Sequence, residues 1–91
     1  MQLIRYSLRV TGRVQGVGFR WFAQQKASLY VLTGWVRNLG DGSVGLEVQG
    51  KPAQLDAFLK AIWRGSRFIQ VDTLDKEPLD PVEEREFRVL D

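Results

Sequence analysis

Neither cysteine nor histidine occurs in this chain of 91 residues. Without cysteine there is no disulfide, no thiolate nucleophile and no sulfur-ligated metal. Without histidine the commonest metal ligand and the commonest general base near neutral pH are missing as well. Carboxylates do not cluster around the motifs described below, so no metal site is expected. No run approaches the ~20 apolar residues of a membrane span. The opening Met1-Gln2-Leu3-Ile4-Arg5-Tyr6 lacks the basic region and apolar block of a secretory signal. A cytoplasmic protein that does not engage a membrane is therefore expected. Acids are also absent from the first part of the chain: none precedes Asp41, whereas Arg5, Arg9, Arg13, Arg20, Lys26 and Arg37 all do. From Asp72 onward acids dominate. A net charge of +2 thus conceals an N-terminal segment suited to attracting anions.

What is present is sufficient for one small core. Hydrophobic residues make up 44% of the chain and charged residues 26%, as in an ordinary globular protein, and one domain over residues 1–91 is expected. Ile4, Tyr6, Leu8 and Val10 alternate with polar residues, the period of a half-buried strand. The period changes at Phe19: Phe19, Phe22, Ala23, Ala27 and Tyr30 share one helical face, which predicts a helix from about Arg20 to Leu29. Strands are predicted at Gly34–Asn38 and around Val44, Leu46 and Val48, joined by a turn rich in Asn, Gly and Asp. Pro52 opens a second helix striped by Leu55, Phe58, Leu59 and Ile62 and closed near Gly65. A strand follows from Phe68 to Leu74, a break at Glu77-Pro78-Leu79-Asp80-Pro81, and a short strand at Phe87 and Val89. The order βαββαβ plus one strand predicts an α+β, two-layer, ferredoxin-like sandwich, with an antiparallel sheet and two helices on one face.

Between the first strand and the first helix lies Gly12-Arg13-Val14-Gln15-Gly16-Val17-Gly18-Phe19-Arg20. Its glycines let the backbone curl tightly enough for amide N–H groups to converge on one anion. The helix start adds unpaired N–H donors and a positive dipole end. Arg20 can lay a planar fork on a phosphoryl group. The physical reading is a phosphate cradle, and a flexible strand–helix connection is the alternative. It is not a Walker loop, because Gly-x-x-x-x-Gly-Lys is absent, nor a dinucleotide fingerprint, because Trp21 stands where the third glycine belongs. The second feature is Gly34-Trp35-Val36-Arg37-Asn38 with Asp41-Gly42. Asn38 is either a turn residue or a carboxamide able to hold a water molecule.

Both segments resemble the two signatures of the acylphosphatase family: Gly-x-Val-Gln-Gly-Val-Gly-Phe-Arg matches without a gap, and Gly-Trp-Val-Arg-Asn followed by Asp-Gly matches in the same order and separation. The resemblance covers nearly the whole chain. It implies hydrolysis of acyl phosphates, with the backbone amides of Gln15, Gly16, Val17, Gly18, Phe19 and Arg20 as phosphate loop. Arg20 and Asn38 are the implied catalytic residues, the first binding phosphate and the second positioning the attacking water. It implies a monomer acting on a small-molecule acyl phosphate, with no cofactor, no metal and no nucleic-acid partner. The chain departs from the family at Leu29-Tyr30-Val31-Leu32, where Leu-Gly-Leu is common, and at Gly65-Ser66, where Gly-Pro is common. The missing acid–base residues suit this chemistry, because a carboxylate leaving group with a pKa of roughly 4 to 5 departs unprotonated. Two other functions compete. RNA-recognition modules share the topology, but their glycine–aromatic motif lies on a central strand, and Val17–Phe22 lies in a loop and helix start. Acylphosphatase-like accessory modules occur inside larger carbamoyl-handling proteins, which a free-standing chain does not favour. Trp21, Trp35 and Trp63 are read as packing residues, and the acidic C-terminal segment as a solvated edge.

Overall fold

A computed structural model describes residues 2–91. The element order is β1 (Ile4–Arg13), α1 (Phe19–Leu29), β2 (Thr33–Asn38), β3 (Val44–Gly50), α2 (Pro52–Arg64), β4 (Gln70–Leu79) and β5 (Phe87–Val89). The strands form one sheet in the order β4-β1-β3-β2-β5. β1 lies between β3 and β4, and β2 pairs with β3, all antiparallel. β5 joins the edge of β2 in parallel, so the sheet is mixed where a purely antiparallel one was expected.

The alternation in the sequence is realised as two faces. Leu8 and Val10 of β1, Val36 of β2 and Val44, Leu46 and Val48 of β3 are buried in one cluster with residues of both helices. α1 contributes Phe19, Ala23 and Ala27, and α2 contributes Leu55, Phe58, Leu59 and Ile62. The alanines let α1 lie close to the sheet, while Phe58, fully buried, fills the space under α2. Removing a side chain of that size costs about 3–5 kcal/mol.

Three boundaries differ from expectation. β1 runs on to Arg13 past a register shift at Thr11/Gly12, which delivers the glycine loop directly from the sheet. β4 begins at Gln70 rather than Phe68, because residues 66–69 close the α2 C-terminus instead, with Ser66 N–H bonded to Ile69 O at 3.1 Å. β4 also continues through Glu77 and Pro78 to Leu79, across the expected break. It is an edge strand, so Pro78 opposite Tyr6 needs no amide hydrogen on its outer side.

The segment 80–86 then crosses the outer face of the sheet from β4 to β5. It is anchored by Gln49, which accepts from Val82 N–H (2.9 Å) and donates to Val82 O (2.8 Å). Arg5, buried on this same face, donates to Glu84 (2.7 Å), Glu47 (2.9 Å) and Gln49 (3.3 Å). Burial pulls the Arg5 guanidinium down, but its bonds to Glu84 and Glu47 outweigh that and hold its pKa above the ordinary value. Glu84 is therefore an ion-pair partner rather than part of a solvated edge. At the end of α1, Val31 sits at φ 58, in the left-handed region. A β-branched residue there carries strain of about 1–2 kcal/mol.

Candidate active site

The end of β1 and the start of α1 frame an opening that both motifs line. After Arg13 the chain buries Val14 and turns through Gly16 (φ 74) and Gly18 (φ 79) into α1. A Cβ at either glycine would meet no protein atom within 4 Å, so glycine is required there by backbone conformation and leaves open space above the loop. Gly18 is the N-cap of α1, with no side-chain cap and no acid in the first turn. The helical ladder starts with Phe22 N–H to Gly18 O at 2.9 Å. The amides of Phe19, Arg20 and Trp21 precede it and leave unpaired donors at the positive end of the helix.

These residues border a cavity of about 460 Å³, lined by Val14, Gly16, Gly18, Phe19 and Arg20 from the loop and helix start, and by Asn38 from the end of β2. The two signatures, some twenty residues apart in the chain, thus meet at one opening. Asn38 pairs through its backbone with Val44 of β3. Among the described residues no side-chain hydrogen bond engages its half-buried carboxamide. Arg20 is half-buried and donates through Nη1 to Leu90 O at 2.8 Å, which fixes the guanidinium and leaves its other N–H groups available. Arg20 is the only basic residue and Asp91 the only acidic one lining the cavity among the described residues.

Two of the expected loop residues stand apart from the lining. Val17 packs against the core. Gln15 turns its carboxamide to the β2–β3 hairpin, donating from Nε2 to Leu39 O and Ser43 O, both at 2.8 Å. It ties the loop to the turn carrying Asn38. That turn is itself braced by Asp41, which accepts from Ser43 N–H (3.0 Å) and Ser43 Oγ (2.5 Å) and pairs with Arg9. The bonds from Ser43 and then from Arg9 hold the Asp41 carboxyl well below the usual carboxylate range.

Sequence reasoning passed over the distal wall. Trp21 is 64% exposed and lines the cavity with Gln24, Val89 and Asp91, so it is not a packing residue. Trp63 is likewise exposed. A signal for Trp21 existed in its position next to Arg20 on the polar side of the helical pattern. Val89, Leu90 and Asp91 gave none, since only the crossing of the sheet brings them to α1. No group of three His, Cys, Asp or Glu side chains suited to a metal occurs among the described residues, and no described helix is long and apolar enough to cross a membrane.

Residues 6–89 match the family model described as Acylphosphatase. The chain is 46% identical over 87 residues to the acylphosphatase of Geobacillus kaustophilus, covering 94% of this chain and 93% of that one. It is 41% identical to that of Clostridium acetobutylicum, covering 94% and 96%. Among solved structures it is similar to the acylphosphatase of Bacillus subtilis, with a TM-score of 0.91, 37% identity and 98% and 99% of the two chains covered. It is also similar to part of full-length HypF in the phosphate- and nucleotide-bound form, with a TM-score of 0.87 and 27% identity, covering 99% of this chain but 12% of HypF.

Proposed function

The chain belongs to the acylphosphatase family and hydrolyses acyl phosphates, and we propose that the loop from Gln15 to Arg20 holds the phosphoryl group while Asn38 places the water. The observation that carries this reading is the convergence of the glycine loop, Arg20 and Asn38 on one opening at the N-terminus of α1.

In the proposed mechanism, amides of the loop and of the first turn of α1 donate to the phosphoryl oxygens, and Arg20 adds a charge-assisted fork. Val17 and Gln15 support the loop from behind, the first by packing and the second by its two carbonyl acceptors. Arg20 is preset by Leu90 O, so little side-chain freedom is lost when phosphate arrives. The Asn38 carboxamide accepts from a water and directs its oxygen at phosphorus, in line with the bond to the acyl oxygen. The new P–O bond forms as that bond breaks, and its electron pair leaves on the carboxylate. The carboxylate needs no proton, and the proton of the attacking water passes to a phosphoryl oxygen of the substrate. Phosphoryl transfer of this kind draws mainly on positioning and electrostatic stabilisation, which amides, one arginine and one carboxamide supply without a titrating base.

We also propose a single domain that acts as a cytoplasmic monomer without metal or nucleic acid. Two facts support this over the competing functions. The outer face of the central strands β1 and β3 carries Arg5, Ser7, Arg9, Gly45, Glu47 and Gln49, with no aromatic, and is crossed by residues 80–86. The chain also matches its acylphosphatase relatives over nearly their full length, whereas it matches a small part of HypF. The test is hydrolysis of acetyl phosphate and of an ordinary phosphate monoester by the purified protein in excess chelator. Rapid release of phosphate from acetyl phosphate alone is expected. Activity that disappears in chelator and returns with Mg²⁺ or Zn²⁺ refutes the metal-free mechanism.

A further inference from the structure

We propose that a second cavity, built by the loop between α2 and β4, binds a small polyphosphate. This cavity of about 300 Å³ is lined by Arg13, Arg64 and Arg67 together with Trp63, Ser66 and Phe68. It shares no lining residue with the first. The three arginines come from three separate elements. Arg13 ends β1 and is brought beside β4 by its pairing with Gln70. Arg64 is in the last turn of α2. Arg67 lies at the tip of a loop closed by Ser66 N–H to Ile69 O and Ile69 N–H to Ser66 O.

No carboxylate balances them. None of the three enters an ion pair among the described residues, and no Asp or Glu lines the cavity. The nearest acid in the chain, Asp72, lies outside it and accepts from the Gln70 carboxamide at 3.3 Å. The carbonyls at the end of α2 account for one cation there, Arg64, but not for three. Like charges gathered on one small concavity repel one another, and a multiply charged anion reverses the sign of that interaction.

The size and shape of the donor set choose among anions. A guanidinium fork spans two oxygens of one phosphoryl group, so three arginines set on separate walls of the cavity suit an anion with more than one phosphoryl group better than a single orthophosphate. A volume of 300 Å³ corresponds to roughly ten waters, which suits a chain of two or three phosphoryl groups. The loop tip is ordered before binding: Gly65 N–H bonds to Ile62 O at 3.0 Å, Ile69 is buried beneath it, and Arg67 lies over the Phe68 ring at 5.5 Å. The adjacency of Arg13 and Val14, which line the second and first cavities respectively, puts this anion site next to the glycine loop.

The test is titration of ¹⁵N-labelled protein with tripolyphosphate, followed by amide and indole resonances. Expected are saturating shifts of the Trp63 indole and of amides 64–70, with orthophosphate binding there at least about tenfold more weakly. Arg64→Gln with Arg67→Gln should weaken tripolyphosphate at these resonances by at least about tenfold, since each arginine contributes a charge-assisted bond. Shifts confined to residues 16–20, or non-saturating shifts at 63–70, would overturn the proposal. So would a double variant within twofold of the parent. If the double variant does not fold, Arg67→Gln on the exposed loop tip decides by the same criterion at about threefold. A short single-stranded oligonucleotide supplies the same phosphate chemistry from another source. Tighter binding of it than of tripolyphosphate assigns the cluster to nucleic acid and refutes a small-molecule site. These readouts do not depend on hydrolysis, so they succeed or fail separately from the acyl phosphate assay.

Discussion

Replacing Asn38 by alanine tests the proposed division between water positioning and phosphate binding. Asn38 closes β2 with its backbone paired to Val44, and that pairing survives the substitution. Its carboxamide is half-buried and holds no hydrogen-bond partner among the described residues, so truncation strands no buried polar atom. The fold should lose no more than about 0.5 kcal/mol, as for substitutions away from packed or bonded positions. Turnover should respond far more. Losing one group that orients the reacting atoms in a preorganised site costs about 2.7–4 kcal/mol, or 10²–10³-fold in rate. Phosphate affinity should change by less than about twofold, because the loop amides and Arg20 are untouched. Three measurements decide: turnover of acetyl phosphate, inhibition by orthophosphate, and the urea midpoint. Arg20→Ala is the contrast, expected to weaken orthophosphate and slow turnover together. A folded Asn38→Ala enzyme with normal turnover would reduce Asn38 to a turn residue. One that no longer binds orthophosphate would place Asn38 in the cradle and leave the water to another group.

Three predictions concern stability. Arg5→Ala should cost about 3 kcal/mol, near the lower end for breaking a buried pair, since the Glu47 and Glu84 carboxylates keep some water; a urea midpoint unchanged from the parent would show that the network over the outer face holds nothing. Val31→Gly should raise stability by about 1 kcal/mol by relieving the left-handed conformation at φ 58, less whatever glycine gains in the unfolded chain, and a loss in thermal melting would contradict the strain. Asp41 titrates below its unfolded value of about 3.9, so its bonds to Ser43 and Arg9 stabilise the hairpin fully above that pH and progressively less as pH falls toward the depressed folded pKa. The parent should therefore be more stable than Asp41→Asn near neutrality and converge with it in acid; a constant difference across that range would refute the assignment.

Much of this protein was determined locally. Strands and helices were legible because period two and period 3.6 are properties of neighbouring residues. The glycine loop was legible because positive φ at Gly16 and Gly18 is a demand that side chains resist. Arg20 and Asn38 were candidates on two grounds, Arg20 by its place in the first turn after that loop and both by two motifs that resemble a known family; the structure brings them to one cavity. Tertiary structure decided everything that depends on distant segments meeting. Pro78 lies within β4 because that strand is at the sheet edge, a fact no window around Pro78 contains. Glu84 is an ion-pair partner because residues 80–86 cross the outer face and reach Arg5, far away in the chain. Val89 and Asp91 line the cavity, and Leu90 O holds Arg20, because β5 docks parallel to β2 beside α1. Trp21 points to solvent at the rim because α1 turns its small residues, Ala23 and Ala27, to the sheet. Arg13, Arg64 and Arg67 become neighbours only when β1, α2 and the loop before β4 end at the same side of the core. Sequence carries the conformational preference of each segment, but which segments share a surface is settled by how the apolar faces pack, and that packing is a property of the whole chain.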